Sequence, residues 1–297
     1  MVAMRGCTNA ELLQCGLEVI GHHVVGSDDE NHQNFKAAYG VNTTACAVLW
    51  RALWDSVNPE IIVGPASNLF HLFWALHFLR AYPLERNMAA YFRVSRRTLT
   101  KWTKVWVHNI SLLKAEKIVL PEPIPDVEFY LSVDGTDCPI NEPTPFNRNW
   151  MSHKFKGAAI KYEIGIDLDG NYAWVSPPYR GSVHDSTIFK RALRNLVPDG
   201  CCVIVDSAYG IEDDKVAPVS EYDDAPVTDF KKRVKSRHET GNKRIKDFAI
   251  TSTCFRHQLD FHSACFDAVV VLCQFNVENG ENLFMLWLNK AAVQSSI

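Results

Sequence analysis

Two apolar runs in this chain each end on a carboxylate. In "EFYLSVDGTD" the run Leu131-Ser132-Val133 delivers Asp134, and in "CCVIVDSAYG" the run Val203-Ile204-Val205 delivers Asp206. If the two runs are neighbouring parallel strands, their acids meet at the carboxyl edge of a sheet, where open α/β folds favour binding sites. Like charges about 4 Å apart repel by about 4 kcal/mol at an effective dielectric near 20. A fold keeps such a pair by sharing a proton or by holding cations, and hard divalent ions such as Mg²⁺ or Mn²⁺ suit oxygen-only ligands. Two such ions about 3.5–4 Å apart can activate a water and stabilise the leaving oxygen of a phosphodiester. A site of that kind wants a third carboxylate, and Glu239 in "RVKSRHETGNKRIKDF" is the candidate, a lone acid amid cations.

Each acid also has a plainer reading. Asp134-Gly135-Thr136 and Asp206-Ser207-Ala208 read equally as turn starts. Ser236 and Glu239 have the S-x-x-E spacing of a capping box that would begin a helix. Asp185 stands where the helix "STIFKRAL" needs an N-cap, with an accessory metal role as its second reading.

The elements that must position these acids follow from periodicity. "NAELLQCGLEVIG", "TTACAVLWRALWDSV" and "ASNLFHLFWALHFLRAY" carry three-to-four apolar spacing, so the first 115 residues or so read as helical. The proline-punctuated "PEPIPDVEF" (121–129) marks a boundary, after which the period becomes that of strands. "FYLSVDG" is a buried strand, and "AIKYEIGIDLDGNYAWVSPP" a hairpin about Asp169-Gly170-Asn171. "HDSTIFKRALRNLVPDG" is a helix whose apolar face is Ile188, Phe189, Ala192, Leu193, Leu196 and Val197, stopped at Pro198-Asp199-Gly200. "CVIVD" is the fourth strand, "KVAPV" a short further one, and helices resume near Lys231. The expected fold is therefore α/β: a mixed sheet of three antiparallel strands joined by short turns, then parallel strands, flanked by helices. Its domains are a helical region at 1–120 and a sheet domain at 125–290.

At 297 residues, 47% hydrophobic and 22% charged, the chain has the composition of a soluble globular protein. No apolar stretch reaches the roughly 18 residues of a membrane span, and "MVAMRGCTNAELLQ" lacks a secretory-signal pattern, so an intracellular chain is expected. Nine scattered cysteines read as reduced thiols. The net charge of −3 conceals two basic islands, Arg86–Lys104 and Lys231–Lys246, and acidic stretches at "SDDE" (27–30) and 212–224.

"LERNMAAYFRVSRRTLTKWTKVWVHNI" reads as helix-turn-helix within 82–112, with a turn at Phe92-Arg93-Val94 and Ser95 capping the longer helix. Leu99, Trp102, Trp106 and Ile110 share one face, and Arg97, Lys101, Lys104 and His108 the other, which could touch DNA. Cys254, His257, His262 and Cys265 superficially suggest zinc. Their spacing lies within one apparent helix, whose side chains cannot surround a tetrahedral ion unaided, so buried cysteines are expected instead. The pair Cys201-Cys202 opens a strand and reads as core.

The ordered set "VDGTDCPI…WMSHKFKGAAIKYEIGI…GSVHDSTIF…VIVDSAYG…RHETGNKRIKDFAI…FRH" resembles the DDE transposases of the PIF/Harbinger superfamily and their host-domesticated, nuclease-like relatives. The likeness runs from "FKAAYGVNTTACAVLW" to "VENGENLFML", most of the chain. It implies an RNase H-like core whose two Asp and one Glu bind divalent metal for strand cleavage and joining. Position by position, these fall on Asp134, Asp206 and Glu239, and another acid often stands where Asp185 is. "NKRIK" departs mildly from the more usual "NGRLK"-like sequence, and the stretch between Asp206 and Glu239 is more acidic than a DNA-facing surface. The reading is a nuclear, transposase-derived, metal-dependent DNA endonuclease, a hydrolase with DNA as partner. Arg97, Lys101, Lys104, Arg237, Lys243 and Arg244 would hold the backbone, and a separate Myb-like DNA-binding protein is implied as a partner. The rival reading is a domesticated, catalytically inactive DNA-binding or scaffolding protein.

Overall fold

The computed structural model describes residues 8–22, 27–56, 69–210 and 213–286. The first seven residues, and residues 57 and 66–68 at the ends of two helices read from the sequence, lie outside them. In chain order the helical elements come first: α1 (Asn9–Val19), α2 (Asp28–Tyr39), α3 (Thr43–Ser56), α4 (Leu69–Ala81), α5 (Glu85–Tyr91), α6 (Arg96–Leu112) and α7 (Lys114–Lys117). The sheet follows with β1 (Phe129–Pro139), β2 (Met151–Ser152), β3 (Gly157–Asp167), β4 (Tyr172–Val175) and β5 (Tyr179–Arg180). Then come α8 (Asp185–Ala192), β6 (Cys202–Val205), β7 (Val216–Pro218), α9 (Ala225–Lys246), α10 (Ala249–Ser252) and α11 (Asp260–Glu278). Among the described residues no helix is long and apolar enough to cross a membrane.

The chain forms two compact units. One contains Met1–Lys117, Ile245–Ser252 and His257–Glu281; the other contains Ile118–Arg244, Thr253–Arg256 and Asn282–Ile297. The first unit takes up α10 and α11 as well as the N-terminal helices.

The helical unit is built around aromatic rings. Phe35, Tyr39 and Phe73 pack at centroid separations of 4.8–5.8 Å, and Trp106 of α6 stacks on Trp50 of α3 at 5.7 Å. The acidic "SDDE" is the start of α2: the Ser27 side chain accepts from the Glu30 N–H, and three acids occupy the first turn, where the helix dipole favours them. In α6, Ser95 caps by accepting from the Thr98 N–H, and Arg93 in the preceding turn has φ of +54°. Leu99, Trp106 and Ile110 are buried, while Arg97, Lys101, Lys104 and His108 are exposed on the opposite face.

The sheet runs in the order β2-β3-β1-β6-β7, with β4 and β5 also pairing β3. β1 and β3 are antiparallel, and Asp134 faces Ile164 across that ladder. After the α8 crossover β6 returns parallel to β1, and β7 is parallel to β6. The connection from β1 to β3 is not a short turn: seventeen residues intervene, and β2 pairs within them. Leu131, Val133, Val203 and Val205 pack with Phe189 and Tyr209 on the α8 side. Cys202 and Ile204 pack with Phe230 and Val234 on the α9 side. The helix read through Val197 is shorter: α8 ends at Ala192, a 3₁₀ turn follows, and Leu196 is half exposed.

Candidate active site

The β1–β6 ladder pairs Ser132 with Ile204, and both Asp134 and Asp206 lie two residues further on. Strand side chains alternate with period two, so Asp134 shares the face of Ser132, and Asp206 that of Ile204. Ile204 packs against α9, and the Ser132 hydroxyl meets Nδ1 of His238 at 2.8 Å. Both acids therefore stand on the α9 side of two adjacent strands. β6 ends before Asp206, but β1 continues to Pro139, so Asp134 lies within a strand and the turn-start reading fails for it. Asp206 does open a turn, its Oδ1 accepting from the Ser207 N–H at 2.8 Å.

Helix α9 faces the pair with Lys235, Glu239 and Asn242, spaced i, i+4 and i+7 on one stripe. Lys235 Nζ lies 2.9 Å from Oδ1 of Asp206, and Asn242 Nδ2 donates to Oδ2 of Asp134 at 3.0 Å. Glu239 sits between these two contacts on the same stripe and is exposed. The capping-box reading of Ser236 and Glu239 fails because α9 begins eleven residues before Ser236. Four further contacts fix the helix. His238 meets Ser132; Arg237 donates to the carbonyls of Asp167 and Leu168, the latter at 2.8 Å; the Tyr172 hydroxyl donates to the Gly241 carbonyl at 2.8 Å. Gly241 itself permits the close approach, since a Cβ there would lie 2.5 Å from Ile166 Cδ1.

On the other face of the sheet stands a second acidic group. Asp185 is the first residue of α8 rather than its cap; His184 holds the cap position, with no side-chain capping bond to the helix backbone. The Asp185 carboxylate instead pairs with Lys161 at 2.9 Å and lies against Gly135, where a Cβ would come within 2.7 Å of its Oδ1. Beside it Glu163, paired across the ladder with Gly135, is fully buried. Neither of its carboxyl oxygens closes a hydrogen bond, although the Tyr209 hydroxyl faces it.

The electrostatics follow from this arrangement. Burial raises the Asp134 pKa, Asp185 and Asp206 add to the rise, and Lys154 and the Gly135 N–H oppose it. Asp206 is lowered, first by its bond to Lys235. Burial drives Glu163 up to about 8 and holds His238 down at about 3, so His238 is neutral near pH 7.

The sequence reading of the basic residues changes here. Arg237 is fully buried and spent on two carbonyls of the β3–β4 hairpin, so it is not a cation offered to DNA. Arg244 donates to the Asn282 carbonyl and is half-buried, whereas Lys243 is exposed. Three acids of the acidic stretch are compensated internally. Arg194 holds Asp213 and Asp214 at 2.8 and 2.6 Å, and Lys231 holds Asp223 at 2.7 Å. The four residues first considered for zinc do not share one helix: Cys254 and His257 precede α11, and His257 bonds Tyr82 and Glu85. Cys202 is buried in β6, as a core residue should be.

Lys235, Asn242, Lys161 and Glu163 were not singled out from the sequence. The signals were present: the i, i+4, i+7 stripe of α9, and two polar residues two apart in the otherwise apolar β3.

An oxygen-only set of carboxylates suits a hard divalent cation. Burial is the main cause of the raised Asp134 pKa and the charges of Asp185 and Asp206 add to it, and an ion bound there would offset both. Among the described residues no three Asp, Glu, His or Cys side chains already converge as a finished cage; on Asp206 the Lys235 ammonium supplies the positive charge. The oxygen ligands thus suit a hard cation, while Lys235 holds that place on Asp206.

A mixed sheet with acids at its crossover edge is compatible with a nuclease fold. Residues 133–274 match the model of a family described as DDE superfamily endonuclease, which supports a nuclease derived from DDE transposases. No curated protein and no solved structure matches the chain.

Proposed function

We propose that the protein is a divalent-metal-dependent DNA endonuclease of PIF/Harbinger type, with Asp134, Asp206 and Glu239 as its metal-holding residues. The observation that carries this reading is the α9 stripe, where Lys235 reaches Asp206 and Asn242 reaches Asp134 with Glu239 between them. The strand order β4-β3-β1-β6-β7, three antiparallel then two parallel across a helical crossover, supports an RNase H-like core.

Bound Mg²⁺ or Mn²⁺ would supply Lewis-acid stabilisation of the phosphodiester oxygens and a more acidic water or 3′-hydroxyl. The chain's residues supply position. Asn242 orients Asp134, the Ser132–His238 contact fixes the register of α9 on β1, and Lys235 offers a cation for a phosphate oxygen once released from Asp206. Asp185 is an accessory acid held by Lys161. The exposed face of Arg97, Lys101 and Lys104 after the Arg93 turn supports a helix-turn-helix that grips DNA phosphates, with Lys243 as a further contact near the site. A nuclear location and a Myb-like partner come with the resemblance rather than with the geometry.

The test is nicking of supercoiled plasmid in Mn²⁺ by wild type and Glu239→Gln, which keeps shape and loses the ligand charge. Nicking that falls by at least about 100-fold, ~2.7 kcal/mol of barrier, supports the site. Equal nicking by both places the chemistry elsewhere. Duplex binding without nicking by either protein, even with Mn²⁺ present, favours the inactive DNA-binding reading.

A further inference from the structure

The β1–β3 connection has a composition unlike the rest of the sheet unit. Residues 141–156, "NEPTPFNRNWMSHKFK", hold Phe146, Trp150 and Phe155 together with Arg148, His153, Lys154 and Lys156, against the single acid Glu142. The connection is anchored at its end. Met151 and Ser152 pair with Ala158 and Gly157, and the Ser152 hydroxyl donates to Asp137 at 2.9 Å while accepting from the Phe155 N–H. His153–Lys156 form the tip of this hairpin, and Lys156 turns the chain with φ of +59°.

The rings are presented rather than buried. Phe146 is 60% exposed and Phe155 47%. The Phe155 ring covers the bare Cα of Gly157, where a Cβ would meet it at 2.8 Å. The Arg180 guanidinium lies over the Trp150 ring at 5.5 Å, leaving a cation beside an aromatic surface. The tip also bears on the site: the Lys154 charge lowers the pKa of Asp134, Asp206 and His238 alike. Exposed rings interleaved with cations are what an unpaired nucleic-acid strand recognises, bases stacking on rings and phosphates meeting ammonium groups.

We infer that the β2–β3 hairpin, with Lys154, Phe155 and Lys156 at its tip and Phe146, Trp150 and Arg180 flanking it, is a stacking platform for an unpaired DNA strand beside the Asp134–Asp206 pair. This rests on the nuclease reading only for the identity of the strand. The platform would hold a frayed or flipped end near the carboxylates, with bases on the rings and backbone on Lys154 and Lys156.

The experiment measures fluorescence anisotropy of a labelled oligothymidine of about 20 nucleotides, free and annealed to its complement. It uses the full chain in EDTA across a salt series, so it is independent of whether the protein cuts. Phe146→Leu/Phe155→Leu keeps apolar bulk and removes the rings; thermal melting checks the fold. The expected result is a loss of at least about tenfold for the single strand, with duplex affinity unchanged. Lys154→Ala/Lys156→Ala should lower the single-strand salt slope by about 1.4, which the leucine pair leaves intact. Equal affinity of wild type and the leucine pair for the single strand would overturn the inference, as would a parallel loss for single strand and duplex. Platform binding with no nicking leaves the inference standing and removes only the catalytic reading.

Discussion

At the scale of single residues, Glu163 is fully buried, and its surroundings differ most from water among the described carboxylates. Burial, then the charges of Asp185 and Asp134, raise it to about 8, while Tyr209 and Lys161 pull the other way without offsetting the rise. The folded chain therefore holds this proton more tightly than the unfolded chain, whose value stays near 4.5. The contribution to stability is whole below that value and is lost as pH climbs towards 8. At about 1.4 kcal/mol per tenfold difference, the loss is on the order of 4 kcal/mol by mildly alkaline pH. Glu163→Gln has no proton to lose and keeps the shape. Its melting temperature is expected to match wild type near about pH 5 and to exceed it near about pH 8.5. Melts of both proteins across that range check the point; parallel curves would assign the pH dependence to another group.

At the scale of elements, α9 converts packing into chemistry. Its buried stripe runs Phe230, Val234, Arg237 with His238, Gly241, Ile245, and its next stripe carries Lys235, Glu239 and Asn242. Moving the first stripe moves the second. Gly241→Ala puts a Cβ 2.5 Å from Ile166 Cδ1, and Ile166 is fully buried, so its terminal methyl must shift within packed surroundings. The expected cost is about 1–3 kcal/mol in urea unfolding, with reduced nicking. Gly241→Ala/Ile166→Val removes the offending methyl and should recover both; no recovery would mean that the glycine serves something other than close approach. Much of this geometry was legible. The parallel return of "CVIVD" beside the first strand, the hairpin about Gly170 and the charged face of α6 all follow from periodicity and turn chemistry. The misreadings share a physical cause, in that a local signal was answered by a tertiary contact. Gly135 looks like a turn after Asp134, yet it is bare to admit the Asp185 carboxylate. Asp185 looks like a cap, yet it is drawn to Lys161. The start of α9 was hidden because "SEYDDA" reads as loop, its Asp223 binding the Ser220 N–H and Lys231. Arg237 could not be told from its basic neighbours by type; only its place on the Phe230–Ile245 stripe marks it as inward.

At the scale of the whole molecule, the question is which positive charge remains for a polyanion. The chain carries a net −3, so binding DNA depends on local fields rather than on the total. The second basic island is largely used within the protein: Lys231 on Asp223, Lys235 on Asp206, Arg237 on two carbonyls. The first is not. Arg97, Lys101 and Lys104 stay on the surface of the helical unit, with Lys101 and Lys104 lying over the rings of Trp102 and Phe261 and their charges open to solvent. If that face grips duplex phosphates, each contact releases condensed counterions, and the salt dependence counts the contacts. Arg97→Ala/Lys101→Ala should lower the slope of log affinity against log salt on duplex DNA by about 1.8. Stability should stay within about 0.5 kcal/mol, because neither side chain is buried. Anisotropy of a labelled duplex across a salt series measures the slope, and a chemical melt measures the stability. An unchanged slope would mean that the helical unit does not touch the duplex backbone, leaving DNA to be held by the sheet unit or by a partner. A slope reduced together with stability would mean that the face is structural.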